Sequence, residues 1–127
     1  MKLKHIETFE SLRKCPEMYV LRGDFASISS FIDGYNFACD GGPLCGFKEW
    51  LALRASCGFN WGWSSLVLHI SGVGRDADLP LPPDVDVIAT NAIFHLFSQF
   101  SRERVEPHGL GQIFAAYEQL RLSEIAE

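Results

Sequence analysis

The feature that most constrains this fold is a stripe of apolar residues with a helical period in the last third of the chain. It consists of Ala89, Ala92, Ile93, Leu96, Phe97 and Phe100. Because residues three and four positions apart share one face of an α-helix, the stripe predicts an amphipathic helix over residues 86–104 that buries one side. Pro107 and Gly109 end it. Any fold of this chain must therefore cover one long apolar helix face.

Four more segments carry a similar pattern, and glycine or proline separates them. They predict helices over residues 5–14, from the N-cap Asp24 to Ala38, over 45–56 and over 111–125. Residues 64–70 are apolar but too few for their period to distinguish a helix from a strand, and we favour a helix. Residues 18–21 are interpreted as a short, extended and partly buried segment.

The pattern as a whole predicts an all-α fold, a single irregular bundle of five or six helices in one domain spanning residues 1–127. The expected core is built around Phe31, Ile32, Tyr35, Trp50, Ile93, Phe97 and Phe114. If residues 18–21 and 64–70 paired instead, a small two-stranded element would make the fold α+β.

Charge and hydropathy exclude several classes of function. Residues 1–23 carry a net charge of +2 and the rest of the chain −7, which argues against a nucleic-acid partner because those interfaces need a basic surface. No stretch approaches 18 consecutive apolar residues, so no membrane span is expected. The first residues lack the apolar core of a signal peptide, so a cytoplasmic location is expected.

Sequence motifs for catalysis or for metal binding are missing. Cys15, Cys39, Cys45 and Cys57 include no Cys-x-x-Cys pair and are expected to be reduced, and the four histidines show no ligand spacing. We therefore predict no catalytic residue, no metal site and no cofactor. An enzyme whose site is assembled from dispersed residues stays an alternative, with Cys57 beside His69, or Asp33 and Asp40 beside His95.

Two segments are candidates for binding a partner. Trp61 and Trp63 flank a glycine in an aromatic loop, where they either fill the core or anchor a protein interface. Asp76, Asp78, Asp84 and Asp86 lie in a stretch with several prolines that does not have the ligand spacing of a calcium loop. They either form a solvated loop or attract a basic partner, and Asp84 or Asp86 could cap the helix that follows.

The order of several short motifs resembles a group of small bacterial proteins that share a Pro-x-Met-Tyr segment. The matching residues are Pro16 with Met18-Tyr19, Phe31 to Tyr35, Phe47 to Trp50, Gly62-Trp63 leading into Leu66 to Leu68, and Ala92 to Phe97. Glu17 stands where glycine is usual in that group. These proteins are similar in size and character to immunity proteins of polymorphic or contact-dependent toxin systems.

The resemblance implies a protein that works by binding and not by catalysis. The function we expect is neutralisation of a cognate bacterial toxin by direct contact, with a basic toxin domain as the partner. A small enzyme with a Cys/His or Asp/His site is the first alternative, and a structural or dimerisation module is the second.

Overall fold

The computed structural model describes residues 2–126 of the chain, with side chains through Glu124. Its described residues form six α-helices and no strand, which confirms the all-α prediction. The helices are α1 (Leu3–Lys14), α2 (Phe25–Ala38), α3 (Phe47–Ala55), α4 (Trp63–Ile70), α5 (Pro83–Arg104) and α6 (Gly109–Ala126), and a short 3-10 turn (Pro16–Met18) follows α1.

Helix α5 is the centre of the bundle. It contacts all five of the other helices, α1, α2, α3, α4 and α6. Its predicted stripe is largely buried, with Ala89, Ile93 and Phe100 at 0–1% exposure. At its C-terminal end, Arg104 donates hydrogen bonds to the carbonyls of Gly42 and Pro43, which fixes the loop between α2 and α3.

An aromatic cluster where α3 and α4 meet α5 fills the middle of the core. The Phe47 ring lies 5.2 Å from Phe100, 5.5 Å from Phe97 and 6.3 Å from Trp50, measured between ring centroids. Phe9 extends this cluster to α1, with its centroid 4.2 Å from Phe97. Burial of large aromatic side chains supplies much of the free energy that holds such a small domain together.

The starts of α2 and α4 show two different ways of beginning a helix. Asp24 caps α2 as predicted, since its carboxylate accepts a 2.9 Å hydrogen bond from the Ser27 amide. Its hydrogen bonds with Ser27 lower the pKa of Asp24 below the usual value for aspartate. Helix α4 begins after Gly62 without a side-chain cap. Residues 64–70 belong to it, so the helical interpretation is confirmed and the two-stranded alternative is wrong.

Other expectations need correction. Residues 18–21 are not partly buried as a group, because Met18 is 77% and Leu21 104% exposed. In the expected core, Ile32, Trp50, Ile93 and Phe97 are buried, Phe31 and Tyr35 are half-buried, and Phe114 is exposed. Helix α6 turns Ile113 inward instead, and one residue further along a helix rotates the side chain by about 100°, away from the core.

Candidate functional site

Trp63 joins two helices. Its indole Nε1 donates a 2.7 Å hydrogen bond to the Asp33 carboxylate on α2. Its ring also packs beside Phe47, with centroids 5.9 Å apart. The side chain is half-buried. Trp63 therefore contributes to packing within the chain, and only part of its surface is open to a partner.

Trp61 lies in the loop between α3 and α4. The Arg75 guanidinium is stacked 4.3 Å above its ring, and the His69 ring meets it edge-on at 5.4 Å. Gly58 makes this packing feasible, because a Cβ atom there would come within 2.7 Å of the Trp61 ring, and its φ of +77° also favours glycine. Trp61 is half-buried and forms a surface cluster with Arg75 and His69.

The four predicted aspartates do not form one site. Asp76 is exposed and pairs with its neighbour Arg75 at 3.4 Å. Asp78 is exposed in the loop, whereas Asp84 and Asp86 lie in the first turn of α5. The structure therefore brings Asp76 near Trp61, through Arg75, and places Asp84 and Asp86 at the start of α5.

Asp86 has a structural contact that the sequence did not indicate. Its carboxylate accepts hydrogen bonds from the Phe25 amide, at 3.1 Å to Oδ2, and from the Thr90 hydroxyl, at 3.2 Å. It therefore ties the start of α2 to the start of α5. The expectation that Asp84 or Asp86 caps α5 is wrong, because Pro82 holds the N-cap position and Pro83 begins the helix.

A second surface consists of exposed apolar side chains that the sequence pattern did not indicate. Three large side chains after α1, Met18, Tyr19 and Leu21, are exposed at 77%, 40% and 104%, and Val87 on α5 is exposed at 59%. We call these four residues the Leu21 surface. The apolar run at residues 18–21 was the available signal, but it was interpreted as partly buried because apolar runs usually are.

Val87 lines two grooves, and chain neighbours of the other surface residues line them too: Pro16, which begins the turn that carries Met18, lines the first, and Arg22, next to Leu21, lines the second. One has a volume of about 180 Å³ and lies between Pro16, Ile28 and Phe94. The other has about 420 Å³ and runs past Pro80, Leu81 and Pro83 at the end of the loop that carries Asp76 and Asp78. Both grooves carry charges of either sign, since Arg13 and Asp86 line the first and Arg22, Asp24 and Asp86 line the second.

Cys57 and His69 are brought together, as one of the alternatives predicted. The Cys57 Sγ atom lies 3.7 Å from His69 Nε2. The other predicted combination finds different contacts, because Asp33 binds Trp63 and the His95 ring bonds to Gln99 at 3.3 Å. Asp40 occupies the turn after α2 with a φ of +56°.

A third groove, of about 540 Å³, lies between α3, α5 and α6. Trp50 lines it and donates its indole N–H to Glu103, while the Arg54 guanidinium stacks 4.5 Å from the Trp50 ring and donates to Gln99 at 2.9 Å. These groups satisfy one another, and Glu106 and Gln112 add further polar side chains to the lining of the groove.

Comparison with protein-family models, with curated proteins and with solved structures found no match. Among residues 2–126, none of the helices combines the length and the apolar character that crossing a membrane requires.

Proposed function

We propose that this chain is a non-catalytic binding protein, and specifically an immunity protein that neutralises a cognate bacterial toxin in the cytoplasm. The Leu21 surface is the observation that carries the proposal. Exposed apolar side chains grouped around grooves are typical of protein interfaces, whereas single exposed ones are ordinary.

The stability of the folded chain does not explain why the side chains of the Leu21 surface are apolar. Leu21 is fully exposed, and Met18 keeps most of its area in water. Burying such a side chain is worth about 1.5–3 kcal/mol, which a partner would gain on covering it. Leu21 and Met18 are therefore the expected anchors, and Val87 with its two grooves would receive side chains of the partner.

Charge favours a basic partner. Asp76, Asp78 and Asp84 are exposed in or just after the loop that ends at the larger groove. Exposed carboxylates near an apolar surface attract a basic partner and speed association, while the apolar contacts provide most of the affinity. The resemblance to immunity proteins supplies the kind of partner, a toxin domain with a basic active-site cleft.

The experiment is co-expression with the product of the neighbouring toxin-like gene in the native genome. We expect a stable one-to-one complex and loss of toxicity. Leu21→Asp combined with Val87→Asp should abolish both, while the control Leu122→Asp, at a side chain 51% exposed on α6, should leave both intact. Absence of a complex with the wild-type chain would overturn the proposal.

Two further measurements separate the alternatives. Raising the salt concentration should slow association of the wild-type complex and have less effect when Asp76, Asp78 and Asp84 are all changed to asparagine.

Light scattering of the isolated chain should give a monomer. A dimer that Leu21→Asp dissociates would identify a second copy as the occupant and would replace the toxin proposal with the dimerisation module.

A further inference from the structure

Cys57 and His69 form a thiol–imidazole pair that partner binding does not require. The Sγ–Nε2 distance is 3.7 Å, within hydrogen-bonding range for sulfur. Cys57 is half-buried, and the His69 ring is exposed. A small molecule can therefore approach the pair from solvent.

The backbone holds both members in place. Helix α3 ends at Ala55, its C-cap Ser56 has a φ of +56°, and Gly58 follows with a φ of +77°. These two left-handed residues turn the chain sharply and place Cys57 beside the last turn of α4, where His69 lies. The His69 and Trp61 rings pack edge-to-face, and the Arg75 guanidinium stacks over the Trp61 ring. The imidazole is thus supported by a ring that is itself packed.

We propose that Cys57 is a mixed-disulfide site, at which His69 accepts the thiol proton as Cys57 attacks a low-molecular-weight disulfide. In this step Sγ forms a bond to one sulfur of the disulfide, and the bond between the two disulfide sulfurs breaks. The proton moves from Sγ to Nε2 and then to the departing thiolate. One thiol and one disulfide become one mixed disulfide and one free thiol, so atoms and electrons balance.

The other three cysteines provide internal controls. Cys15 is exposed, and Cys39 and Cys45 are half-buried. Within the described part of the chain, none of these three thiols hydrogen-bonds to a histidine, as Cys57 does. If access alone decided the rate, Cys15 would react first. If a neighbouring base decides it, Cys57 reacts first, because only a thiol that loses its proton is a strong nucleophile.

The test treats the full-length protein with a limiting amount of oxidised glutathione and follows each cysteine by peptide mass spectrometry. We expect the adduct at Cys57 before Cys15. His69→Gln should slow the reaction at Cys57 by about a hundredfold, the lower end of what a positioned base contributes, and leave Cys15 unchanged. Equal rates at Cys57 in the wild type and in His69→Gln would overturn the proposal, as would faster reaction at Cys15.

A second variant separates a base from a mere structural support. In His69→Ala, added imidazole should restore part of the lost rate at Cys57, because a free base can replace the missing one. A packing role would give no such recovery, and that result would also overturn the proposal. Toxin binding is measured separately, so this site and the proposed function can fail independently.

Discussion

The aromatic core and the Leu21 surface use the same kinds of side chain in opposite environments. Phe47 and Phe100 have 1% and 0% exposure and touch several other rings. Met18, Leu21 and Val87 are mostly exposed, although they too are large and apolar. The core side chains contribute to folding, while the exposed ones gain nothing from it.

This contrast shows that apolar content alone does not reveal what a side chain is for. A residue whose burial stabilises the fold is constrained by its neighbours in the chain. A residue that stays in water in the folded state is free of that constraint, and a cluster of them points to contact with another molecule. Substitutions should therefore separate the two regions by their effect on the free energy of unfolding.

The largest effect is expected from Phe100→Ala. Removing a fully buried ring leaves a cavity beside Phe47 and Trp50, and we expect a loss of about 3–5 kcal/mol in the free energy of unfolding. The matched control is Phe37→Ala on α2, since that ring is 86% exposed. Urea denaturation measures both, and similar losses for the two variants would break the comparison.

A smaller loss in the free energy of unfolding is expected at the start of α5, where Asp86 links this helix to α2. Asp86→Ala removes the acceptor for the Phe25 amide and the Thr90 hydroxyl, and should cost about 1–2 kcal/mol. Asp84→Ala is the control, because it also removes a carboxylate from the first turn of α5 but makes no such link. An equal cost for the two, again by urea denaturation, would assign the effect to the helix dipole and not to the link.

The buried end of α1 supplies a test by pH. Burial lowers the pKa of His5 below 6.5, and the positive charges of Lys2, Arg104 and Lys4 lower it further. The unfolded chain therefore takes up this proton at a higher pH than the folded chain, so the contribution of His5 to stability is full well above pH 6.5 and is lost as the pH falls through 6.5 towards the lower pKa of the folded state. His5→Gln should flatten the dependence between about pH 7 and pH 5. An unchanged slope in denaturation curves would contradict this.

The smallest effect on stability is expected at the Leu21 surface. Leu21→Ser should change the free energy of unfolding by less than about 0.5 kcal/mol, because the side chain has no contact to lose. Urea denaturation measures it beside the Phe100→Ala variant. A loss above about 1 kcal/mol would show that Leu21 packs within its own chain, and would remove the main support for a binding surface there.

The sequence predicted the fold better than the surface, and the reason is physical. The stripe of α5 shows its burial through its own period, so Ile93 and Phe97 were correctly assigned to the core. The link from Asp86 to Phe25 joins residues 61 positions apart, and no local pattern records it. Residues 18–21 look like any short apolar run, because their exposure depends on whether another helix covers them.

The contact between Cys57 and His69 was predicted only as one alternative, unlike the burial of the α5 stripe, which was predicted outright, and the Asp86–Phe25 link, which was not predicted. A separation of 12 positions across a loop has no periodic signature, so the pair was one of several combinations that the sequence allowed. Its contact depends on the left-handed turn at Ser56 and Gly58. Only the position of Gly58 gave a local hint of that turn.

The central position of α5 has a consequence for synthesis of the chain on the ribosome. The helix starts at residue 83 of 127, yet all five other helices pack against it. Until that segment emerges, α1 and α2 lack the surface they cover, and the nascent chain exposes its core residues to chaperones and proteases. A fragment that ends before Pro83 is expected to show no cooperative unfolding transition, whereas a sharp transition would mean that the first four helices form a core without α5.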